Sequence, residues 1–184
     1  DTLSFATDGI MTGKVPHVIG SVLLLLYLYG IGKAALMPIH RWLPAAMVAP
    51  TPVSALLHAV AVVKAGVFTI VKVAVYIFGL DYLRELALAD IALYLAGFTI
   101  IVASIVALRQ DNLKRRLAYS TVSQLSYVIL AALILSPLST MGAALHIAVH
   151  AFGKITLFMA AGAIYTAAHK INVSQLDGIG KRMP

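Results

Sequence analysis

Five long apolar runs, at residues 16–39, 53–79, 88–108, 117–135 and 138–168, alternate along the chain with short polar or proline-bearing breaks. Each is near the roughly 20 residues that a helix needs to cross a bilayer. The pattern therefore predicts an all-α polytopic bundle of about five membrane-spanning helices.

Glycine and proline mark where these helices break. In "YGIGKAALMPIHRWLP", Gly30 and Gly32 loosen the turn around Lys33, and Pro38 lacks an amide hydrogen and clashes with the carbonyl of Ala34. The first helix should be broken near Lys33–Pro38. Freed carbonyls in hydrocarbon must be satisfied by protein or water, so the break should share a polar, hydrated gap with Lys33. The competing reading is a simple proline kink with Lys33 snorkelling to the headgroups. The stretch "HRWLPAAMVAP" is too short to cross and reads as a packed re-entrant or surface turn, with Trp42 as an interfacial anchor. Thr51 should cap the second helix, with Pro52 in its first position.

Composition agrees with this placement. Of 184 residues, 61% are hydrophobic and 11% charged, against about 25% charged in a soluble domain. The first run lacks a basic start and cleavage site, so it is not a removable signal. With no cysteine, disulfides, thiolate metal sites and cysteine nucleophiles are excluded. The chain starts at Asp1 and stops after "LDGIGKRMP", which suggests that residues 1–184 are one partial transporter domain of something longer.

The formal charge of +7 does not signal nucleic acid, which needs a clustered, exposed basic patch. Basic residues instead segregate by loop. Arg41, Arg109, Lys114, Arg115, Arg116, Lys170, Lys181 and Arg182 fall on one side, and Lys14 and Arg84 on the other. The positive-inside rule puts the 109–116 loop in the cytoplasm and the first residues outside.

Four lysines stand within apolar runs: Lys33, Lys64, Lys72 and Lys154. Each costs about 2.5–3.5 kcal/mol at mid-bilayer and is retained mainly where it faces a bundle interior or an ion path. Lys64 lies deepest, whereas Lys72 is near enough to an end to snorkel. A lysine taken out of water is pushed toward its neutral amine, and can then accept and release protons near neutral pH. His146, His150 and Lys154 follow at steps of four on one helical face, climbing about 12 Å. They suit a stepwise proton path. His58, six residues before Lys64, should face another side of its helix unless that helix is irregular. Ser123 and Ser126, in "AYSTVSQLSY", either bond neighbouring helices or line a water path. The carboxylates all lie in loops or at helix ends, so any counter-charge for the buried lysines must come from other sequence or another subunit.

At these residues the chain resembles the proton-translocating, antiporter-like membrane subunits of respiratory complex I, membrane-bound hydrogenases and multi-subunit cation/proton antiporters. The matching stretches are "KAALMPIHRWLPAAMVAPTPVSALLHA", "DNLKRRLAYSTVSQLSY", "HAFGKITLF" and "LDGIGKRMP". The wording around Lys64 looks most like the D-type component of the antiporter complexes. The resemblance implies the seventh to eleventh helices of a roughly fourteen-helix fold with inverted repeats. It places a relay lysine of the broken helix at Lys33, the connecting lysine at Lys64 with His58 on the same helix, and the eleventh-helix group at His146, His150 and Lys154.

It further implies a protein of a bacterial or archaeal cell membrane, working with other membrane subunits on protons, with sodium ions as an alternative cargo. The coupling would be to cation exchange or to NADH/quinone redox chemistry, with no catalytic residue, metal or cofactor in this chain. Two other classes compete. One is a haem- or metal-binding redox subunit using His146 and His150, although "HIAVH" lacks a zinc hydrolase's glutamate. The other is a structural subunit whose lysines bind lipid headgroups.

Overall fold

The computed structural model describes residues 9–183, except the side chains at 59, 60 and 182. Asp1 and Asp8, and the side chain of Arg182, therefore lie outside the described residues. Five helices carry the fold: α1 (His17–Gly30), α2 (Thr51–Phe78), α3 (Ala87–Arg109), α4 (Leu113–Leu133) and α5 (Pro137–Ala168). Among the described residues there is no strand, only one isolated antiparallel bridge between Asn112 and Asn172. The chain is an all-α polytopic membrane bundle.

Three helices, α2, α3 and α5, are long and apolar enough to cross a membrane. α4 has 21 residues but is less apolar, because it carries Lys114, Arg115, Arg116 and Gln124; Thr121, Ser123 and Ser126 are buried within it. Their hydroxyls face protein, so the helix can sit in a bilayer without showing them to lipid. α3 packs against α4 through a stripe of small residues, Ala89, Ala92, Ala96, Thr99, Ala103 and Ala107, which lets the backbones approach closely. Its opposite face exposes Ile91, Tyr94, Phe98, Ile101 and Ile105. The core between helices is built from Leu24, Leu28, Val63, Val67, Phe78, Leu83, Leu125 and Ile129.

The first apolar run differs from its prediction. α1 ends at Gly30, at 14 residues only about 21 Å long. Pro38 lies in the turn beyond it, after a 3-10 segment Gly32–Ala34, and does not kink a continuing helix at Ala34. The Met37–Pro38 peptide is cis. The left-handed residue of the break is Ala35 (φ 56°), not either glycine. Side chains bond two carbonyls at the break. Trp42 Nε1 donates to the Gly32 carbonyl at 3.0 Å, and the Tyr29 hydroxyl donates to the Met37 carbonyl at 3.2 Å. Trp42 thus bonds inward to the break instead of serving simply as an interfacial anchor. Residues 42–48 form the expected packed turn, burying Leu43, Pro44 and Met47.

α2 also starts differently. Pro50 is the capping residue, Thr51 is the first helical residue without a side-chain cap bond, and Pro52 is second. A π-helical segment, Leu56–Val60, interrupts the helix before the regular stretch Val62–Lys72, and a second one, Val73–Phe78, closes it at Gly79 (φ 82°).

The two ends of the bundle are fixed by long-range bonds. Tyr82 donates to the Val15 carbonyl at 2.8 Å, joining the Lys14 and Arg84 loops at one end. At the other, Leu113 N donates to the Ile171 carbonyl (2.9 Å), and Lys114 Nζ donates to the Ala49 carbonyl (2.6 Å). The Met47–Pro50 turn and the loops around Arg109–Arg116 and Lys170 therefore share one end.

Candidate functional site

The titratable residues of α2 and α5 meet halfway along both helices. Lys64 is the fourteenth residue of α2, about 20 Å from its start, and His150 stands at the same depth in α5. Lys64 Nζ and His150 Nδ1 are 2.6 Å apart, and the two residues are only 7% and 8% exposed. The second bond of Lys64 goes to its own helix, where Nζ donates to the His58 carbonyl at 3.2 Å. That carbonyl lies within the π-helical segment. An i→i−4 ladder does not hold there, so the irregularity frees it for the amine.

The same irregularity turns His58 inward, removing the objection that six residues separate it from Lys64. The His58 side chain is fully buried, with its ring against Phe158 at 5.1 Å. Lys154, one turn before Phe158 on α5, is 3% exposed and donates to the Leu117 carbonyl of α4 at 3.0 Å. Thr121 Oγ1 donates to the same carbonyl at 2.9 Å. His146 is half-buried one turn from His150, the two rings stacked at 6.0 Å. Thus Lys64, Lys154, His58, His146 and His150 form one constellation between α2, α4 and α5.

The buried ring nitrogens of this group are incompletely bonded. His58 Nδ1 and Nε2, His146 Nε2 and His150 Nε2 are buried without a hydrogen-bond partner. A buried polar atom left unpaired costs about 1–3 kcal/mol, so such sites are usually completed by water or by a mobile proton donor. No carboxylate joins them among the described residues. Asp81 pairs with Arg84 at 2.9 Å, Glu85 lies 3.6 Å from His17, and Asp111 binds Ser174. Nor, among the described residues, do three or more His, Asp or Glu side chains converge there as a metal-binding group.

Other expected residues stand apart. Lys33 is exposed beside the break, and its backbone packs against Gly66 of α2 so closely that a Cβ there would lie 2.6 Å from the Lys33 carbonyl carbon. Lys72 Nζ lies 5.3 Å from the centre of the Phe68 ring. Ser123 bridges helices, meeting Ser104 Oγ at 2.9 Å and donating to the Ile100 carbonyl at 3.3 Å. Ser126 bonds only back along α4, to the Val122 carbonyl at 3.0 Å. Of the two hydroxyls, that of Ser123 joins neighbouring helices. Sequence reasoning missed Phe158 and the Leu117 carbonyl. The first was available as the next i+4 step after His150 and Lys154, whereas the second is a backbone atom that no side-chain pattern marks.

The family described as "NADH:quinone oxidoreductase/Mrp antiporter, TM" matches residues 5–184. Subunit 5 of the chloroplastic NAD(P)H-quinone oxidoreductase of Nuphar advena is 37% identical over 87% of this chain and 22% of its own length. The L subunit of NADH-quinone oxidoreductase of Rickettsia felis is 37% identical over 91% of this chain and 25% of its own. The A/B component of a probable K(+)/H(+) antiporter of Rhizobium meliloti is 39% identical over 90% and 16%. None of these three bears the D-type name that the residues around Lys64 suggested. Among solved structures, the Mrp complex from Dietzia sp. DQ12-45-1b superposes with a TM-score of 0.75 at 30% identity, over 85% of this chain and 17% of that one. The chain thus spans a quarter or less of the length of these relatives.

Proposed function

Because the chain belongs to the NADH:quinone oxidoreductase/Mrp antiporter family of transmembrane proteins, we propose that it is the central part of an antiporter-like subunit that moves protons through its buried lysines and histidines. The 2.6 Å contact between Lys64 and His150 carries this reading. An amine and an imidazole in hydrogen-bond contact can exchange a proton in either direction. Low-dielectric surroundings make the charged state of each depend strongly on its neighbours. A proton arriving at Lys64 therefore favours release from Lys154, and the reverse. The histidines offer unpaired ring nitrogens as intermediate stations between the two amines.

On this reading Lys33 is the upstream station. It is exposed in the described chain and takes its partner from parts of the longer protein. The driving process is supplied elsewhere in a multi-subunit complex, as cation exchange or quinone-linked redox chemistry, with sodium as the candidate second ion. Names of both kinds occur among the relatives, quinone oxidoreductase subunits and a K(+)/H(+) antiporter subunit. The shared basic end of the bundle supports placing the 109–116 loop in the cytoplasm of a bacterial or archaeal cell.

The test uses the full-length protein in its complex, in sealed vesicles. Lys64→Ala is expected to bring proton transport down to the background of uncoupled vesicles while the complex assembles normally. Normal transport by a correctly assembled Lys64→Ala complex would remove Lys64, and with it this pathway.

A further inference from the structure

An open cavity of about 720 Å³ lies at the basic end of the bundle, lined by Thr51, Asn112, Lys114, Gly162, Thr166 and Lys170 among others. Between it and the lysine–histidine constellation stands a small apolar cluster, separate from the main core: Met47, Ala55, Ala118 and Phe158. The order is the same on all three helices. Along α5, Lys154 is followed one turn later by Phe158, then by Gly162 at the cavity. Going toward the start of α2, His58 is followed by Ala55, then Thr51. Going toward the start of α4, Thr121 is followed by Ala118, then Lys114. Each step is about 4.5–6 Å. Met47, from the packed turn, closes the fourth side.

The cluster is tightly closed. Ala55, Ala118 and Phe158 are at most 1% exposed and Met47 is 7% exposed. Phe158 is its one large rigid member, and its ring covers that of His58. Above it the cavity wall sets Thr51, Asn112, Lys114, Thr166 and Lys170 among apolar residues, and below it the ring nitrogens of His58 lack partners. A buried apolar layer between a cavity that carries Lys114 and Lys170 and unsatisfied polar groups has the form of a hydrophobic constriction, which controls passage by wetting and drying.

We propose that Phe158, with Met47, Ala55 and Ala118, is a hydrophobic gate that separates a water-filled vestibule at the Lys114–Lys170 end from the Lys64–Lys154–His58 group. The gate's use in transport rests on the relay reading above, but its existence as a water barrier does not. Dry, it keeps protons from leaking between the vestibule and Lys154. A movement of the Phe158 ring off His58 would admit water, supplying the missing partners of His58 and a proton path to Lys154.

These 184 residues contain no cysteine, so a single reporter thiol is placed in the full-length protein once any cysteine outside them is replaced. Thr121→Cys puts a thiol below the cluster, at a site fully buried in the native chain. In the full-length protein, a charged methanethiosulfonate should modify this thiol slowly. Adding Phe158→Ala should speed modification by about tenfold or more, and passive proton leak into vesicles should rise with it. Phe158→Leu, which keeps the site apolar and nearly filled, should restore slow labelling and low leak. It also controls for misfolding, since Phe158→Ala counts only where content and melting match Phe158→Leu.

Equal labelling rates and leak in the folded alanine and leucine variants would overturn the gate. Loss of the Lys64 reading leaves the labelling result standing, so the two failures are separable.

Discussion

Lys64 and Lys154 are held by different partners, and this separates their expected behaviour. Lys64 contacts an imidazole and a π-segment carbonyl, whereas Lys154 contacts only a carbonyl already shared with Thr121. In the proposed relay, Lys64→Arg should fail nearly as completely as Lys64→Ala, since a guanidinium does not release its proton near neutral pH. Proton uptake by vesicles, normalised to the amount of assembled complex, tests this. Arginine that restores half or more of wild-type uptake would mean the position needs a charge and not a titrating amine.

A second residue, outside the membrane-spanning segments, has a legible titration. Hydrogen bonds from the Ser174 backbone N–H (2.9 Å) and then its hydroxyl (2.8 Å) hold the Asp111 carboxyl below the usual carboxylate range. A depressed folded pKa means that its stabilising contribution is present above the unfolded value of about 3.9 and fades as pH falls through the lower folded value. Asp111→Ala should therefore loosen the 170–176 loop at pH 7. The difference from wild type should vanish in strong acid. Limited proteolysis of that loop from neutral pH down into the acid range measures it, and a pH-independent difference would assign the effect to packing.

Among the elements, the broken first run and the second helix are pressed together where a side chain has no room. A Cβ at Gly66 would lie 2.6 Å from both the Lys33 carbonyl carbon and the Ala34 nitrogen, which are backbone atoms that cannot swing aside. Gly66→Ala is expected to cost about 1–3 kcal/mol by overpacking and to lower the melting temperature of the purified protein. A neutral substitution would show that the two segments separate easily. The break depends equally on Trp42. Trp42→Phe keeps most of the packing but leaves the Gly32 carbonyl with the Ala35 N–H as its one donor, at about 0.5–1.5 kcal/mol for the lost bond. Melting of this variant should fall accordingly.

For the whole molecule, the prediction concerns orientation. Interlocking bonds between the 110–113 and 170–174 segments, and from Lys114 to the 42–50 turn, gather the basic loops at one end. If that end is cytoplasmic, Asn112→Cys in intact cells should resist an impermeant thiol reagent applied outside and react after permeabilisation. Rapid labelling from outside would invert the topology while leaving the fold unchanged.

The hydrophobic pattern alone determined that the chain is a helical membrane bundle, and it located four of the five long helices to within a few residues, because hydrocarbon leaves the backbone few alternatives to a helix. It also singled out Lys64, Lys154 and the histidines, since charge in an apolar run is conspicuous in one dimension. It did not determine that α1 stops at Gly30, because the Trp42 and Tyr29 bonds that make a break there tolerable depend on how the chain folds back on itself. Nor did it reveal that His58 turns toward Lys64, since that depends on a π-helical segment whose residues look like any apolar helix. The meeting of Lys64 with His150, 86 positions apart, and the burial of Phe158 with Met47, Ala55 and Ala118 were decided by the tertiary structure. Periodicity says which face of a helix is polar, but only the packing of three helices decides which faces meet.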